Sequence, residues 1–241
     1  MFKVCQSVLR VARSSENKLL FIRQFSLTSV DAGRGFKQGR GTGDSGQSSL
    51  YNNERRWKDD MTFQSLGATD ELSSYLGVCR ESADKDGTMP DVVETLTRLQ
   101  CCLQDVGAHV ATPANNSSER KKKKTEFDIK MVEWINGEID RYGDDLPPIR
   151  QFILSGGGLT SAHLQYSRAV CRRAERSIVP LLREDEVDPM ALKFLNRMSD
   201  LLFVLGRTAC MRNKKEELTY LRPDSFTNLK WVRKSLHSDE K

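Results

Sequence analysis

The chain has 241 residues, of which 38% are hydrophobic and 29% charged, a balance typical of a soluble domain with one sizeable core. No apolar run approaches the ~18 residues of a membrane span, so we expect no membrane-embedded segment. The formal net charge is +5, but residues 1–25 carry five basic side chains against one acidic side chain, and the remainder is nearly neutral. This distribution argues against a general nucleic-acid surface.

The first 30 residues have the composition of a mitochondrial import signal. They are rich in Arg and Ser, nearly free of acidic residues, and able to form an amphipathic helix. The segment Arg23-Gln24-Phe25-Ser26 resembles a matrix-protease cleavage site, which predicts a presequence over residues 1–25. An N-terminus without a targeting role is the alternative.

The number and spacing of cysteines and histidines limit the metal sites that the chain could form. The six cysteines contain no Cys-x-x-Cys pair, and five of them lie within apolar helical patterns, which favours reduced core residues. The chain has three histidines and no Glu-x-x-His pair, so it lacks the ligands of a zinc site or of a ferritin-like di-metal centre. The five cysteines are Cys79, Cys101, Cys102, Cys171 and Cys210.

Residues 26–61 are predicted to form a flexible segment that includes a loop rich in Gly, Ser and Arg. Over residues 39–49 the glycines would let backbone N–H groups approach phosphate oxygens closely, with hydroxyls and an arginine in support. No Gly-Lys-Ser/Thr follows at the Walker spacing, and a plain linker is the alternative.

Hydrophobic periodicity predicts five helices within residues 62–224. The first spans about residues 62–83 and carries an apolar stripe beside a stripe of small and polar side chains that includes Asp70. The second begins at Asp91, and its apolar residues alternate at intervals of four and three. These residues are Val92, Leu96, Leu99, Leu103, Val106 and Val110.

The segment after the second helix contains a lysine run. Residues 120–124 are predicted to form an exposed loop tip that is simply solvated, although such a run can also bind nucleic acid or lipid head groups. A third helix is predicted over residues 128–142, capped by Asp128. Its predicted core residues are Ile129, Val132, Ile135 and Ile139.

The fourth predicted helix, residues 160–182, follows a short apolar segment that ends in a glycine turn. Arg168, Arg172 and Glu175 fall at i, i+4 and i+7 and therefore share one face. A salt-bridged solvent face is the alternative. Apolar residues flank these arginines, and guanidinium groups on a rigid helix bind phosphate oxygens in bidentate fashion, which favours a polyanionic ligand.

The fifth predicted helix spans residues 188–212. Asn196 and Asp200 lie one turn apart and could hold a cation or an arginine. Residues 225–241 are predicted to form a loose tail. The predicted buried side consists of Leu192, Leu195, Met198, Leu202, Leu205 and Ala209.

Several motifs in a fixed order resemble those of the ATP:cob(I)alamin adenosyltransferases of the mitochondrial and propanediol-utilisation type. The resemblance covers about residues 42–224. The motifs are Thr42-Gly43-Asp44-Ser45-Gly46 with Ser48-Ser49, Arg55-Arg56-Trp57-Lys58-Asp59-Asp60, Thr69-Asp70-Glu71-Leu72-Ser73-Ser74, Leu103-Gln104-Asp105-Val106-Gly107, Phe152-Ile153-Leu154, Arg168-Ala169-Val170-Cys171-Arg172-Arg173-Ala174-Glu175-Arg176, and Phe194-Leu195-Asn196-Arg197-Met198-Ser199-Asp200.

The resemblance implies an all-α, five-helix up-and-down bundle of ferritin-like type that forms a homotrimer. It implies transfer of the 5′-deoxyadenosyl group of ATP to cob(I)alamin, with ATP, Mg²⁺ and cobalamin bound near the subunit interface. A cobalamin-dependent mutase and a reductase are the implied partners. Two alternatives stay open: a cobalamin carrier without turnover, and a purely structural bundle with a salt-bridged face.

The resemblance also assigns roles to residues. The catalytic group is Arg168, Arg172, Asp70 and Phe152, with Arg168 pairing with Asp70 of a neighbouring subunit and Phe152 lying under the corrin ring. Mg²⁺ would be held through the ATP phosphates, with Glu175 or Asn196 as candidate ligands. The implied nucleotide-binding residues are Arg40, Gly41, Thr42, Gly43, Ser48, Ser49, Lys58, Arg172, Arg173, Ala174, Glu175, Arg176 and Asn196.

The chain departs from the family pattern at three places. Arg40 lies one position earlier than the basic residue of the usual phosphate loop. The usual proline before the glycine turn is replaced by Ser155. Gln165 stands where the family commonly has a histidine, and we assign no catalytic role to the displaced His163.

Overall fold

A computed structural model describes residues 41–220, which form six α-helices and one short β-hairpin. Five of these helices are long and match the five predicted helices, so the all-α fold is confirmed. The predicted presequence and C-terminal tail lie outside the described residues. The elements are β1 (Gln47–Ser49), β2 (Arg55–Trp57), α1 (Met61–Asp86), α2 (Pro90–Val110), α3 (Glu119–Lys124), α4 (Lys130–Gly143), α5 (Leu159–Arg183) and α6 (Pro189–Arg212).

Local capping residues set the helix ends. The Asp60 carboxylate accepts a hydrogen bond of 2.8 Å from the Thr62 N–H at the start of α1. Gly87 ends α1 with a φ of 69°, in the left-handed region that glycine adopts at low cost. At the start of α6 the Asp188 side chain caps the helix and Pro189 occupies the first helical position.

Helix α5 runs antiparallel to α1. Near the start of α1, Ser65 Oγ donates to the Ser177 carbonyl at 2.7 Å. Near the end of α1, Ser82 Oγ lies 2.7 Å from Thr160 Oγ1. Small hydroxyl residues at these contacts allow the two helices to approach closely.

Helix α6 also runs antiparallel to α5 and packs on a different face of α5 from α1. Cys171 Sγ donates to the Leu195 carbonyl, and Gln165 Nε2 donates to the Phe203 carbonyl. A Cβ on Gly206 would lie 2.6 Å from Gln165 Nε2, so a larger residue there would displace the Gln165 side chain. Helix α5 is therefore packed against both α1 and α6.

The regular apolar pattern of α2 is confirmed as core. All six of its predicted core residues are at most 1% exposed. The core also contains Phe194 of α6, which is fully buried. None of the helices within residues 41–220 is long and apolar enough to cross a bilayer.

Two predicted core positions are wrong. Ile129 is 53% exposed because it lies at the N-cap, before the first residue of α4, Lys130, and before the buried stripe of that helix. Cys101 is exposed because it falls on the outer side of α2, beside the buried Cys102. Asp128 still acts as a cap, since its carboxylate accepts a 3.0 Å bond from the Lys130 N–H.

The lysine run is a short helix, α3, and not the predicted loop tip. Lys121 Nζ donates to the Tyr51 carbonyl at 3.0 Å, which ties α3 to the hairpin loop. Lys122 forms an ion pair with Glu119 at 3.0 Å. These contacts hold two of the lysines half-buried, so the run is partly anchored.

His109 connects three elements. Its Nδ1 lies 2.9 Å from the Thr125 carbonyl after α3, and its Nε2 accepts a 2.9 Å bond from the Asp188 N–H at the start of α6. A backbone N–H facing Nε2 and a carbonyl facing Nδ1 place the proton on Nδ1. This histidine is a neutral structural link.

Replacement of Leu99 by Ala tests the importance of the α2 core. Leu99 is fully buried, and deletion of such a side chain leaves a cavity. We expect a loss of about 2–5 kcal/mol in the free energy of unfolding, measured by urea denaturation. The matched control is Glu94→Ala on the exposed side of α2, which should change stability by less than about 0.5 kcal/mol. Equal effects of the two substitutions would contradict the assignment of Leu99 to the core.

Candidate functional site

The β-hairpin brings the glycine loop and Lys58 together. Because β1 and β2 are antiparallel, the loop before β1 and Lys58 after β2 lie at the same end of the hairpin. The Lys58 N–H donates to the Gly46 carbonyl at 2.9 Å. A Cβ on Gly43 would lie 3.1 Å from Lys58 Nζ, so the ammonium group lies directly against the glycine backbone. This arrangement offers a positive charge beside an accessible main chain.

The other described loop residues are exposed or half-buried. Gly41 has a φ of 87° and is exposed, as is Thr42. In β1, Ser48 is half-buried and Ser49 is exposed. Arg40 lies outside the described residues. The hairpin itself was not predicted, because its strands have only three residues each and lack apolar alternation.

Helix α5 presents its arginines on an outer face. Arg172, Arg173 and Arg176 are exposed, and Arg173 forms an ion pair with Glu71 of α1. Ala174 is fully buried, so its side chain faces the core and does not join these arginines.

Glu175 and Asn196 form a polar bridge between α5 and α6. Glu175 Oε1 accepts a 2.9 Å hydrogen bond from Asn196 Nδ2. Arg197 Nη1 donates to Asn196 Oδ1 at 3.0 Å and lies 3.5 Å from Asp200 Oδ2. The predicted Asn196 and Asp200 pair therefore holds an arginine, Arg197, and the amide orientation of Asn196 is fixed from both sides.

Arg168 is oriented by its own chain. Its Nε donates to Gln165 Oε1 at 3.1 Å, and its guanidinium carbon lies 5.9 Å from the centre of the Phe203 ring. Asp70 is exposed on α1. Among residues 41–220 no ion pair joins Arg168 to Asp70, and the pairing between subunits stays a prediction.

Phe152 is 84% exposed on the segment before α5. Burial in the core is the usual environment of a phenylalanine, so its exposure needs another explanation. The segment is nevertheless ordered by backbone pairing, because the Phe152 carbonyl accepts a 2.7 Å bond from the Tyr220 N–H. A large apolar ring is thus presented outward from a fixed backbone.

Arg56 is an important residue that the sequence analysis left without a role. Its guanidinium forms ion pairs with Glu54 at 2.9 Å and Glu186 at 3.1 Å, and donates to Thr62 Oγ1 at 2.8 Å. It thereby attaches the hairpin to the start of α1 and to the α5–α6 connection. Only its place in the Arg55–Asp60 motif signalled its importance, because Glu186 is 130 residues away.

Arg56 also shifts the acidity of its neighbours. Its hydrogen bond lowers the pKa of Glu54 and outweighs the opposing effect of burial. Burial alone would raise the pKa of Asp60, but hydrogen bonds from Thr62 and the charge of Arg56 lower it. The carboxylates in turn raise the pKa of Arg56 further above its ordinary value.

The predicted site residues form two groups. A cavity of about 390 Å³ lies between Arg56, the start of α1 and the end of α5, and its lining contains none of the predicted nucleotide-binding residues. Glu71, which pairs with Arg173, lies ten residues from Met61, or about 15 Å along the α1 axis. Arg173 therefore lies well along α1 from the hairpin, whereas Ser177, next to Arg176, bonds to Ser65 near the hairpin end of α1. Within residues 41–220, no three His, Cys, Asp or Glu side chains group as a metal site.

Comparison with known proteins agrees with this architecture. The family model described as cobalamin adenosyltransferase matches residues 40–209. The corrinoid adenosyltransferase MMAB of Mus musculus is 45% identical over 183 residues, covering 76% of each chain. The corrinoid adenosyltransferase of Bacillus subtilis is 33% identical over 181 residues, covering 75% of this chain and 90% of the relative.

Solved structures give the same result. An Arg→Lys variant of the PduO-type ATP:corrinoid adenosyltransferase from Lactobacillus reuteri, complexed with ATP, matches with a TM-score of 0.67 and 30% identity, covering 74% of this chain and 97% of that chain. A Phe→Ala variant of that enzyme, complexed with cobalamin and ATP, matches with the same score and identity, covering 75% and 97%. The fold and the matched residues define a transferase of the corrinoid adenosyltransferase class. The chain belongs to the cobalamin adenosyltransferase family.

Replacement of Arg56 by Gln tests the hairpin attachment. Glu54 and Asp60 have folded-state pKa values below their ordinary values, so they contribute stability at neutral pH that is lost as the pH falls through the folded values. We expect Arg56→Gln to be less stable than the wild type at neutral pH, with the difference shrinking as the pH falls below the ordinary glutamate pKa of 4.5.

Urea denaturation at several pH values measures this difference. The matched control is Arg183→Gln, which removes an exposed arginine at the edge of the same cavity. It should give a small difference that does not depend on pH. A pH-independent loss in Arg56→Gln would contradict the ionic character of the attachment.

Proposed function

We propose that the chain transfers the 5′-deoxyadenosyl group of ATP to cob(I)alamin. Cobalt(I) supplies an electron pair to the 5′ carbon of the ribose, the bond from that carbon to oxygen breaks, and inorganic triphosphate leaves with the bonding pair. The product is adenosylcobalamin. The observation that carries this proposal is the 45% identity to a corrinoid adenosyltransferase over 76% of both chains.

The reaction requires little proton transfer, so the protein must position the reactants and neutralise the triphosphate. Lys58 beside the backbone of Gly43 would bind phosphate oxygens, because a compact ammonium group and accessible N–H groups suit them. The exposed guanidinium groups of Arg172 and Arg176 would add positive charge and bidentate contacts.

Glu175 and Asn196 fit a role in holding Mg²⁺. Asn196 Nδ2 donates to Glu175 Oε1 at 2.9 Å and so orients the carboxylate, whose oxygen atoms are the ligands that Mg²⁺ prefers. Glu175 would supply a carboxylate oxygen, and the ATP phosphates would complete the coordination. The bound ion would neutralise charge on the leaving triphosphate.

Phe152 fits a place under the corrin ring. Its exposed apolar ring would displace the lower ligand of cobalt, which makes a four-coordinate cobalt(II) easier to reduce. A polar side chain would serve less well, because it could itself coordinate the metal. The corrinoid carries the difficult chemistry, and the protein supplies the orientation.

We propose a homotrimer whose sites lie between subunits. The partner of Arg173, Glu71, lies about 15 Å along α1 from its hairpin end, which supports this proposal, because a second chain could bring a glycine loop beside Arg173. Asp70 is exposed, and Arg168 is already held in one direction by Gln165. A pair between Arg168 and Asp70 of the neighbouring subunit would then join the two chains.

The cellular setting is also proposed. The basic, acid-poor residues 1–25 support import into the mitochondrial matrix. There a reductase would supply cobalt(I), and a cobalamin-dependent mutase would use the product. The alternative, a carrier that binds cobalamin without turnover, is an outcome of the experiment below.

Anaerobic turnover with ATP and cob(I)alamin tests the proposed function. We expect adenosylcobalamin, followed by corrin absorbance, together with one inorganic triphosphate per product. ATP and reductant must both be required. A folded protein that binds ATP and cobalamin but releases no triphosphate would be a carrier, and the transferase proposal would be wrong. A protein whose melting temperature neither ligand raises would be a structural bundle.

Lys58→Ala and Arg172→Ala test the phosphate contacts. Each loses a charge-assisted interaction worth about 1.5–3 kcal/mol, so we expect kcat/KM for ATP to fall by roughly 10- to 150-fold. The matched controls are Lys124→Ala and Arg183→Ala, which remove exposed charges of the same type elsewhere. If the controls lose as much activity as the test variants, the contacts are general electrostatic effects and not specific ones.

A further inference from the structure

Phe152 has the highest exposure among the large hydrophobic side chains of residues 41–220, at 84%. A ring with so little surrounding protein has few side-chain contacts to fix its direction. Its direction must therefore be set by the backbone that carries it. If Phe152 contacts a corrin ring, the rigidity of that backbone determines how precisely the phenyl ring is positioned.

That backbone is one strand of a small antiparallel contact, which we call the Phe152 ladder and define as residues 152–154 and 218–220. The Leu154 N–H donates to the Leu218 carbonyl at 2.8 Å, and the Tyr220 N–H donates to the Phe152 carbonyl at 2.7 Å. Ile153 pairs with Thr219 between them. An isolated pair of such short strands is marginal in water, so the ladder needs outside support.

Arg207 of α6 supplies that support to both strands. It is 6% exposed, and its Nε and Nη2 bind the Glu217 carboxylate at 2.8 and 3.0 Å. Its Nη2 also donates to the Pro147 carbonyl at 2.9 Å. Glu217 directly precedes one strand of the ladder, and Pro147 precedes the other by five residues. One guanidinium group therefore binds the segments that lead into both strands.

The segment that follows the Phe152 strand packs against the C-terminal end of α6, near Arg207. A Cβ on Gly157 would lie 2.5 Å from Cys210 Sγ, so the glycine turn packs directly on that helix. Cys210 Sγ in turn donates to the Lys215 carbonyl at 3.3 Å, on the chain that leads to Glu217. Both strands of the ladder thus rest on the C-terminal end of α6.

We propose that Arg207, Glu217 and the Phe152 ladder are positioning elements that aim Phe152 at the corrinoid. This inference rests on the proposed function. Arg207 is buried and acts through Glu217 and the Pro147 carbonyl, without contacting substrate. A buried arginine is costly unless paired in bidentate fashion, and here the pairing holds two irregular segments that lack a core of their own.

A positioning role and a merely structural role predict different kinetics. Loss of a structural element would lower the melting temperature and affect ATP and corrinoid handling alike. Loss of a positioning element would leave KM for ATP unchanged and reduce kcat for adenosyl transfer, because only the corrinoid end of the site is disturbed.

The sharpest test compares Tyr220→Pro with Tyr220→Ala. Proline removes the N–H that donates to the Phe152 carbonyl, whereas alanine removes the same side chain and keeps the N–H. We expect kcat of Tyr220→Pro to fall by about tenfold relative to Tyr220→Ala, with KM for ATP within about twofold. The absorbance change of bound cob(II)alamin that reports loss of its lower ligand should weaken in the proline variant alone.

A double-variant cycle connects the effect to the ring. The loss in Phe152→Ala combined with Tyr220→Pro should be no greater than in Phe152→Ala alone, because the ladder has no ring left to aim. Glu217→Gln weakens the ion pair with Arg207 without inserting proline. It should show the same pattern, and it provides the test if Tyr220→Pro is unstable.

Three outcomes would overturn the inference: equal kcat in the proline and alanine variants, losses that multiply in the double variant, or a rise in KM for ATP that matches the fall in kcat. Absence of adenosyl transfer in the wild type is a separate result that would overturn the proposed function itself.

Discussion

The packing of α5 against both α1 and α6 is the constraint on which the site depends. Ser167 contacts Cys79 of α1 and Cys171 contacts Leu195 of α6, and the remaining face carries Arg172 and Arg176. Because two sides of the helix are occupied, the arginines can point only away from the single-chain core. A ligand bound by them would lie at the outer surface of the bundle.

Two buried or half-buried arginines fasten the irregular parts of the chain to this bundle. Arg56 joins the hairpin to Glu186, and Arg207 joins Glu217 to the Pro147 carbonyl, which precedes the Phe152 strand. In each case a bidentate contact offsets the cost of removing the charge from water. The helices provide a rigid frame that carries the α5 arginines, while the glycine loop, Lys58 and Phe152 lie on short segments outside the helices. Charged contacts thus fix the irregular segments in place, as apolar contacts fix the helices.

The helices were predictable because each repeats one apolar pattern over many residues. The six core positions of α2 show this most clearly, since spacing alone identified them. The hairpin was not predictable, because its strands have only three residues each. Ile129 was predicted to lie within the helix, which begins at the next residue, Lys130. The grouping of Lys58 with Gly43 followed from the family resemblance. The roles of Arg56 and Arg207 could not be predicted, because they depend on residues distant in sequence or on backbone carbonyl groups, which no sequence pattern shows.

The long reach of Arg56 has a consequence for folding. Its partner Glu186 is 130 residues further along the chain and lies on the connection between α5 and α6. Closing so long a loop is entropically costly, so we expect the corner between these two helices to form before the hairpin docks on it. The glycine loop would then be among the last parts of the nascent chain to become ordered. On this order of events, the glycine loop becomes ordered only in a chain whose helices have already assembled.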